Sequence, residues 1–279
     1  MKQYTLQNGI AIPTVGFGTW QIEEGEQAVN AVKAAIALGY RHIDTAAIYR
    51  NEQSVGKAVK ESGVKREELF ITSKVWNKSR GYEETLAAFE KSLKKLDLED
   101  MDMYLLHWPA NEKQFKDWAA INAASWKALE KLYADGKVKA IGVCNFLKPH
   151  LEALLSTATI KPMVNQIEFH PGFMQEDTVA YCADHSILVE AWSPLGSGKM
   201  LDNEVLQAIA GEYGVSVAQV CLRWILQKGH LPLPKSVTPA RIANNLEVFG
   251  FTLSEETMRQ IDALPFIGGS GLNPSEVEF

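Results

Sequence analysis

The sequence is short of cysteine, of long apolar runs and of surplus positive charge. Its three cysteines, Cys144, Cys182 and Cys221, lie far apart and form no CxxC pair or Cys/His cluster. That spacing argues against a structural metal or a disulfide framework, and for buried thiols in a reducing cytoplasm. No run of about 18 apolar residues exists to span a bilayer. Residues 1–13 carry one lysine and no apolar core, so they do not read as a signal peptide. A formal net charge of -6 disfavours nucleic acid and anionic membrane surfaces as partners, although a local basic pocket for a phosphate stays compatible with it. The Rossmann fingerprint is missing too, because Gly16-Phe17-Gly18 runs on to Gln21 where a third glycine would stand.

What is present is a chain of 279 residues, 46% hydrophobic and 22% charged, a globular composition at a length that one α/β barrel fills. Strand-like and helix-like segments alternate with the period of βα units, which favours a parallel sheet. Asn8-Gly9 between apolar segments 4–6 and 10–12 predicts a hairpin with a type I′ turn, placed to close the barrel's bottom. Barrel strands are expected at 14–16, 41–43, 69–73, 101–106, 138–143, 164–167, 187–190 and 230–234. Helices are expected at 25–38, 51–62, 82–96, 126–135, 204–213, 217–227, 239–248 and 254–264. Eight strands make the count of a (β/α)8 barrel, here one domain over 1–279 with extra C-terminal helices. Segments 109–120, 193–203 and 266–279 are long or glycine-rich and suit pocket walls at the barrel mouth.

Six of the strand-like runs end in a polar residue: Asp44, Lys74, His107, Asn145, Gln166 and Lys235. In a parallel barrel the strand C-termini share one face, so these residues converge there. Tyr49 follows Asp44 by one short loop. A tyrosine works as a general acid near neutral pH only if its proton is easier to lose than its usual pKa of about 10 allows. An ammonium about 4 Å away is worth about 4 kcal/mol at an effective dielectric near 20, which makes Lys74 the expected activator of Tyr49. Asp44 would keep Lys74 charged, and His107 would aim a ring nitrogen at a substrate oxygen. Taken singly, each has an ordinary reading as a cap, a solvated charge, a buried imidazole or a rim aromatic. Asn51 and Glu52 read as helix-start residues.

The ordered motifs resemble those of the aldo-keto reductase superfamily over nearly the whole chain. They are Gly16-Phe17-Gly18-Thr19-Trp20, Arg41-His42-Ile43-Asp44-Thr45-Ala46 through Tyr49, Ser73-Lys74, Leu106-His107-Trp108-Pro109, Gly142-Val143-Cys144-Asn145-Phe146, Val164-Asn165-Gln166 and Pro234-Lys235-Ser236. The resemblance implies a catalytic tetrad of Asp44, Tyr49, Lys74 and His107, with Tyr49 protonating a carbonyl oxygen while hydride arrives from NADPH. It also implies that Asn145 and Gln166 bind the nicotinamide carboxamide, that Trp192 stacks on the ring, and that Lys235, Ser236 and Arg241 grip the 2′-phosphate. Gly18, Thr19, Trp20, Asp44, Ser193, Pro194, Leu195, Asn244 and Asn245 complete the cofactor set that it implies. Two positions depart from the pattern: Cys144 replaces a common Ser, and Asn244 a common Glu beside the adenine.

By the same resemblance Trp20, Ile48, Trp76 and Trp108, with Tyr49 and His107, line the substrate pocket, and the nearest branch reduces 2,5-diketo-gluconate, methylglyoxal and assorted aldehydes. The expected protein is therefore a cytoplasmic, monomeric, NADPH-dependent reductase of a small carbonyl compound, with no nucleic-acid, membrane or metal partner. Two other readings compete. A desolvated Lys74 could be the Schiff-base nucleophile of a barrel aldolase, or the barrel could bind NADPH as a non-catalytic regulatory subunit.

Overall fold

Asn8 and Gly9 do turn a hairpin, but not with a type I′ turn, which needs positive φ at both central residues. Only Gly9 has one, at 84°. A three-residue loop forms instead, with Gly9 N–H donating to Leu6 O at 2.8 Å and Leu6 N–H to Ile10 O at 2.8 Å. The computed structural model describes residues 2–279, and in it this hairpin joins β1 (Gln3–Thr5) to β2 (Ala11–Pro13). Side chains of the hairpin bond to backbone at or just below the N-terminal ends of the barrel strands: Tyr4 Oη to His230 O at 3.2 Å, Gln7 Nε2 to Pro162 O at 2.8 Å and Asn8 Nδ2 to Lys139 O at 2.9 Å. The hairpin therefore lies across the barrel's bottom, as expected.

Above it run eight parallel strands in sequential order. They are β3 (Phe17–Gly18), β4 (His42–Asp44), β5 (Phe70–Val75), β6 (Met101–Leu106), β7 (Val138–Cys144), β8 (Val164–Glu168), β9 (Leu188–Trp192) and β10 (Leu231–Pro232). The sheet closes on itself where Gly16 N–H donates to Pro232 O and Gly18 N–H to Pro234 O, both at 3.1 Å. That seam needs glycine. A Cβ on Gly16 would stand 2.7 Å from His42 Nδ1, and one on Gly18 would stand 3.2 Å from Leu233 O.

The first barrel strand is β3 rather than 14–16, since residues 14–16 lead from the hairpin up to the seam. Helices α1 (Glu26–Ala37), α2 (Glu52–Glu61), α3 (Tyr82–Leu96), α4 (Trp118–Ala134), α5 (Lys148–Leu155), α6 (Glu176–Asp184), α7 (Glu204–Tyr213), α8 (Val217–Gln227), α9 (Pro239–Leu246) and α10 (Glu255–Asp262) surround the sheet. Helices α5 and α6 were not anticipated. Helix α4 begins eight residues before the expected 126, because Asn122 turns its amide back onto Ala110 N–H and C=O at 2.7 and 3.0 Å and draws the preceding loop onto the helix. The 193–203 segment contains a kinked 3-10 stretch, Gly196–Asp202, with Ser197 and Gly198 out of helical conformation.

Among the described residues no single helix is long and apolar enough to cross a membrane; α7 and α8 meet that test only as a pair bent by 87°. The core is apolar between sheet and helices, but the barrel's axis carries buried polar side chains. Gln166 of β8 reaches Asp44 of β4 across the axis, so both point inward.

Candidate active site

Alternation along the strands fixes which residues face the axis. His42 and Asp44 are two apart on β4, Thr72 and Lys74 two apart on β5, and Gln166 and Glu190 are register partners on β8 and β9. All six are buried. The Lys74 ammonium donates to Asp44 Oδ1 at 2.6 Å, to Thr45 O at 2.8 Å and to the Tyr49 hydroxyl at 3.4 Å. Tyr49 sits in a 3-10 turn, Ala47–Tyr49, which Arg50 ends at φ 60°. The ammonium also lies 5.0 Å from the Tyr49 ring centroid.

The four residues of the expected tetrad are thus together. The His107 ring is edge-on to Tyr49 at 5.6 Å and Trp76 is edge-on to His107 at 5.4 Å, centroid to centroid. His107 is held neutral, because burial and then the Lys74 charge push its pKa well below the ordinary histidine value. Burial alone would pull the Lys74 ammonium down, but Asp44 and the Tyr49 phenol more than offset it, so its pKa is raised.

One expectation needs correction. Lys74 was to make the Tyr49 phenol more acidic than a free tyrosine. In the structure burial raises the phenol's pKa by more than the Lys74 charge and hydrogen bond lower it, and Asp44 adds to the rise. The phenol therefore keeps its proton throughout the neutral range, in the form a general acid needs. The ammonium at 3.4 Å is placed where it would stabilise negative charge on that oxygen.

Asn145 ends β7 in the left-handed region, φ 62°, which asparagine tolerates. Its Nδ2 donates to His107 O at 3.0 Å and its Oδ1 accepts from Trp192 Nε1 at 2.8 Å. Gln166 Nε2 donates to Asp44 Oδ2 at 2.9 Å and to Glu190 Oε2 at 2.8 Å. A cavity of about 570 Å³ opens beside Asn145 and Trp192 and is lined on one side by Phe266, Gly269 and residues 271–274. It lies next to the tetrad rather than over it.

The other expected cofactor residues flank this centre. Thr19 lies at the end of β3, where its Oγ1 and N–H both donate to Asp44 O, at 2.9 and 3.0 Å. Ser193, at φ 51°, places its hydroxyl 3.0 Å from that of Ser197, followed by buried Pro194 and half-buried Leu195. Lys235 and Arg241 are exposed beside buried Ser236 and Asn245, on the loop after β10 and on α9. Asn244 Oδ1 receives the Ser216 hydroxyl at 2.8 Å, so its amide is partly engaged from α8's N-cap. Cys144 is buried and free, as are Cys182 and Cys221.

Of the expected pocket walls, Trp76 and Trp108 both pack on Phe279, stacked at 5.5 Å and edge-on at 5.3 Å. Ile48 is half-buried and Trp20 is 46% exposed. Phe279 belongs to the tail 266–279 expected as a pocket wall, although no periodic signal singled it out by number. Its backbone oxygen accepts from Asn77 Nδ2 at 3.1 Å and Gln114 Nε2 at 3.2 Å, which straps the tail across the mouth. Glu190 escaped the sequence reading, as one acid within an otherwise apolar strand. Asn51 and Glu52 do more than start a helix. Asn51 ties the backbone of Thr19 and Ile22 to the Thr45 hydroxyl, at 2.8, 3.0 and 3.0 Å, and Glu52 accepts from Ser73 Oγ at 2.7 Å.

A parallel barrel with a phenol, an ammonium–carboxylate pair and a neutral imidazole at the strand C-termini defines a class of oxidoreductase built for a carbonyl oxygen. The chain belongs to the aldo/keto reductase family, whose model matches residues 14–265. It is 56% identical over 274 residues to the glyoxal reductase of Bacillus subtilis, covering 98% of this chain and 96% of that one. With the methylglyoxal reductase DkgA of Escherichia coli it shares 41% identity, covering 98% and 96%. A crystal structure of a Gox0644 mutant in complex with NADPH superposes with a TM-score of 0.92 at 38% identity, covering 100% of this chain and 99% of that one.

Proposed function

We propose that the protein reduces small dicarbonyl compounds such as glyoxal and methylglyoxal, and related aldehydes and keto-sugars, to alcohols with NADPH. The observation that carries this reading is the Lys74 ammonium within hydrogen-bond reach of both Asp44 and the Tyr49 hydroxyl. The similarity to a glyoxal reductase and to a methylglyoxal reductase supports the substrate class.

The residues present fit the dinucleotide. Asn145 has one remaining N–H and Gln166 a remaining carbonyl oxygen, a donor and an acceptor that match the two ends of a carboxamide. Lys235 and Arg241 make no ion pair among the described residues, which suits a 2′-phosphate dianion. NADPH when bound supplies the hydride. Tyr49 gives its proton from Oη to the carbonyl oxygen, Lys74 stabilises the resulting phenolate, Asp44 holds Lys74 charged, and neutral His107 orients the carbonyl. Trp76, Trp108 and Phe279 exclude water from the reacting carbon. We take the whole chain as one catalytic domain, monomeric and cytoplasmic. Its three free thiols and net charge of -6 are the features that favour that setting.

A Schiff-base role for Lys74 conflicts with its ion pair, since a protonated amine is no nucleophile. The test is Tyr49→Phe. NADPH consumption with methylglyoxal should fall by roughly 10²- to 10⁴-fold, the usual contribution of a general acid, while NADPH binding measured by fluorescence quenching stays within about threefold. Wild-type turnover in that variant would remove Tyr49 from the reaction.

A further inference from the structure

Gln166 is held in an unusual way. Both hydrogens of its amide nitrogen go to carboxyl groups, one to Asp44 at 2.9 Å and one to Glu190 at 2.8 Å. Asp44 only accepts and would repel the amide's own oxygen, and Glu190 Oε2 accepts as well, whether the acid is ionised or carries its proton on the unpartnered Oε1, so the nitrogen turns toward both. The end left for a ligand is then the carbonyl oxygen, which only accepts. Asp44 alone cannot enforce this. One bond would hold one N–H, and the second N–H would be free to turn toward the ligand and present a donor where an acceptor belongs.

Glu190 supplies that second bond and has no other side-chain hydrogen-bond partner among the described residues: its Oε1 is buried and unpartnered there, 4.0 Å from His42 Nε2. It is fully buried on β9 in register with Gln166. An acid kept at that depth, with one oxygen unsatisfied, costs stability, and the bond it makes goes to a residue facing the site.

We propose that Glu190 is a positioning residue that fixes the polarity of the Gln166 amide, so that the site demands an N–H donor from the cofactor's carboxamide. This rests on the reading of Gln166 as a carboxamide partner. Glu190 acts through Gln166 and touches neither cofactor nor substrate. A ligand bearing a methyl ketone in place of the carboxamide offers Gln166 Oε1 no donor and leaves it unpaired.

The test compares dissociation constants for NADPH and for its reduced 3-acetylpyridine analogue, on folded full-length protein. Wild type should bind NADPH roughly tenfold or more tightly, the usual consequence of one buried acceptor left without a partner. In Glu190→Leu that ratio should collapse to within about twofold, whereas Glu190→Gln, which keeps an acceptor at the same place, should retain it. Should Glu190→Leu fail to fold, Glu190→Thr, too short to reach Gln166, takes its place with the same expectation. Equal weakening of both ligands, or loss of the ratio in Glu190→Gln, overturns the proposal. A wild type that does not distinguish the two ligands, while still oxidising NADPH with methylglyoxal, would instead remove Gln166 as the carboxamide partner and leave the reductase reading standing.

Discussion

Lys74 Nζ stands 2.6 Å from Asp44 Oδ1 where neither side chain meets appreciable solvent. Removing one member of such a pair leaves an uncompensated charge and typically costs about 3–5 kcal/mol. In Asp44→Asn the ammonium loses its counter-ion, and the desolvation that already pulls on it is no longer offset. Its pKa must fall. We expect the alkaline limb of the kcat/KM profile to move to lower pH than in wild type, with loss of activity as pH rises through the lowered lysine value. A profile with an unmoved alkaline limb would mean that Asp44 does not set the charge of Lys74.

Glu190 predicts a pH dependence of stability with a defined sign. Burial first, and Asp44 second, push its pKa up from an ordinary 4.5 to about 8. Between those values the folded protein holds a proton that the unfolded chain releases, so stability falls as pH rises across this window. Glu190→Gln carries no such proton. Its stability relative to wild type should be flat below about pH 4.5 and rise from there to about pH 8, reaching a gain on the order of a few kcal/mol. Urea unfolding at pH 5 and pH 9 measures the difference, and an equal difference at both would show that Glu190 does not titrate in this way.

The barrel and most of its strand-end residues were legible because six of the strand-like runs are apolar and closed by one polar side chain, and because parallel topology brings those ends together. Asp44, Lys74, His107, Asn145 and Gln166 were found that way. The misses have physical causes. β3 has two residues, and the closure it makes depends on partners more than two hundred positions away. Glu190 is one acid in an otherwise apolar run, and only its tertiary partners show it to be inward. The net acidity of Tyr49 was not legible because the opposing effect of burial, here the larger, depends on tertiary surroundings.

Lys235 and Arg241 are exposed, so their loss should leave folding intact and act on the cofactor alone. Charge-assisted hydrogen bonds are worth about 1.5–3 kcal/mol each. Lys235→Ala and Arg241→Ala should each weaken NADPH by roughly 10- to 100-fold and change NADH by less than about threefold. The NADPH affinity of wild type should also fall more steeply with salt than that of either variant. Parallel losses for NADPH and NADH in binding titrations would refute the 2′-phosphate assignment.

Phe279 gives the site its outermost wall. Its ring stacks on Trp76, which in turn meets the His107 ring, so the tail is two contacts from the imidazole proposed to orient the carbonyl. Aromatic pairs contribute about 0.5–1.5 kcal/mol beyond their buried area, and the ring is 42% exposed, so Phe279→Ala should lower stability by little. Trp76 would lose its stacking partner and the mouth would admit water. A small dicarbonyl has few atoms with which to hold itself and relies on that enclosure. Its KM should therefore rise, by roughly 3- to 10-fold for methylglyoxal, with kcat nearly constant because Tyr49 and Lys74 are untouched. NADPH affinity should not move. Steady-state kinetics showing a fall in kcat at constant KM would mean that the tail takes part in the chemical step or in product release, and not in enclosure of the substrate.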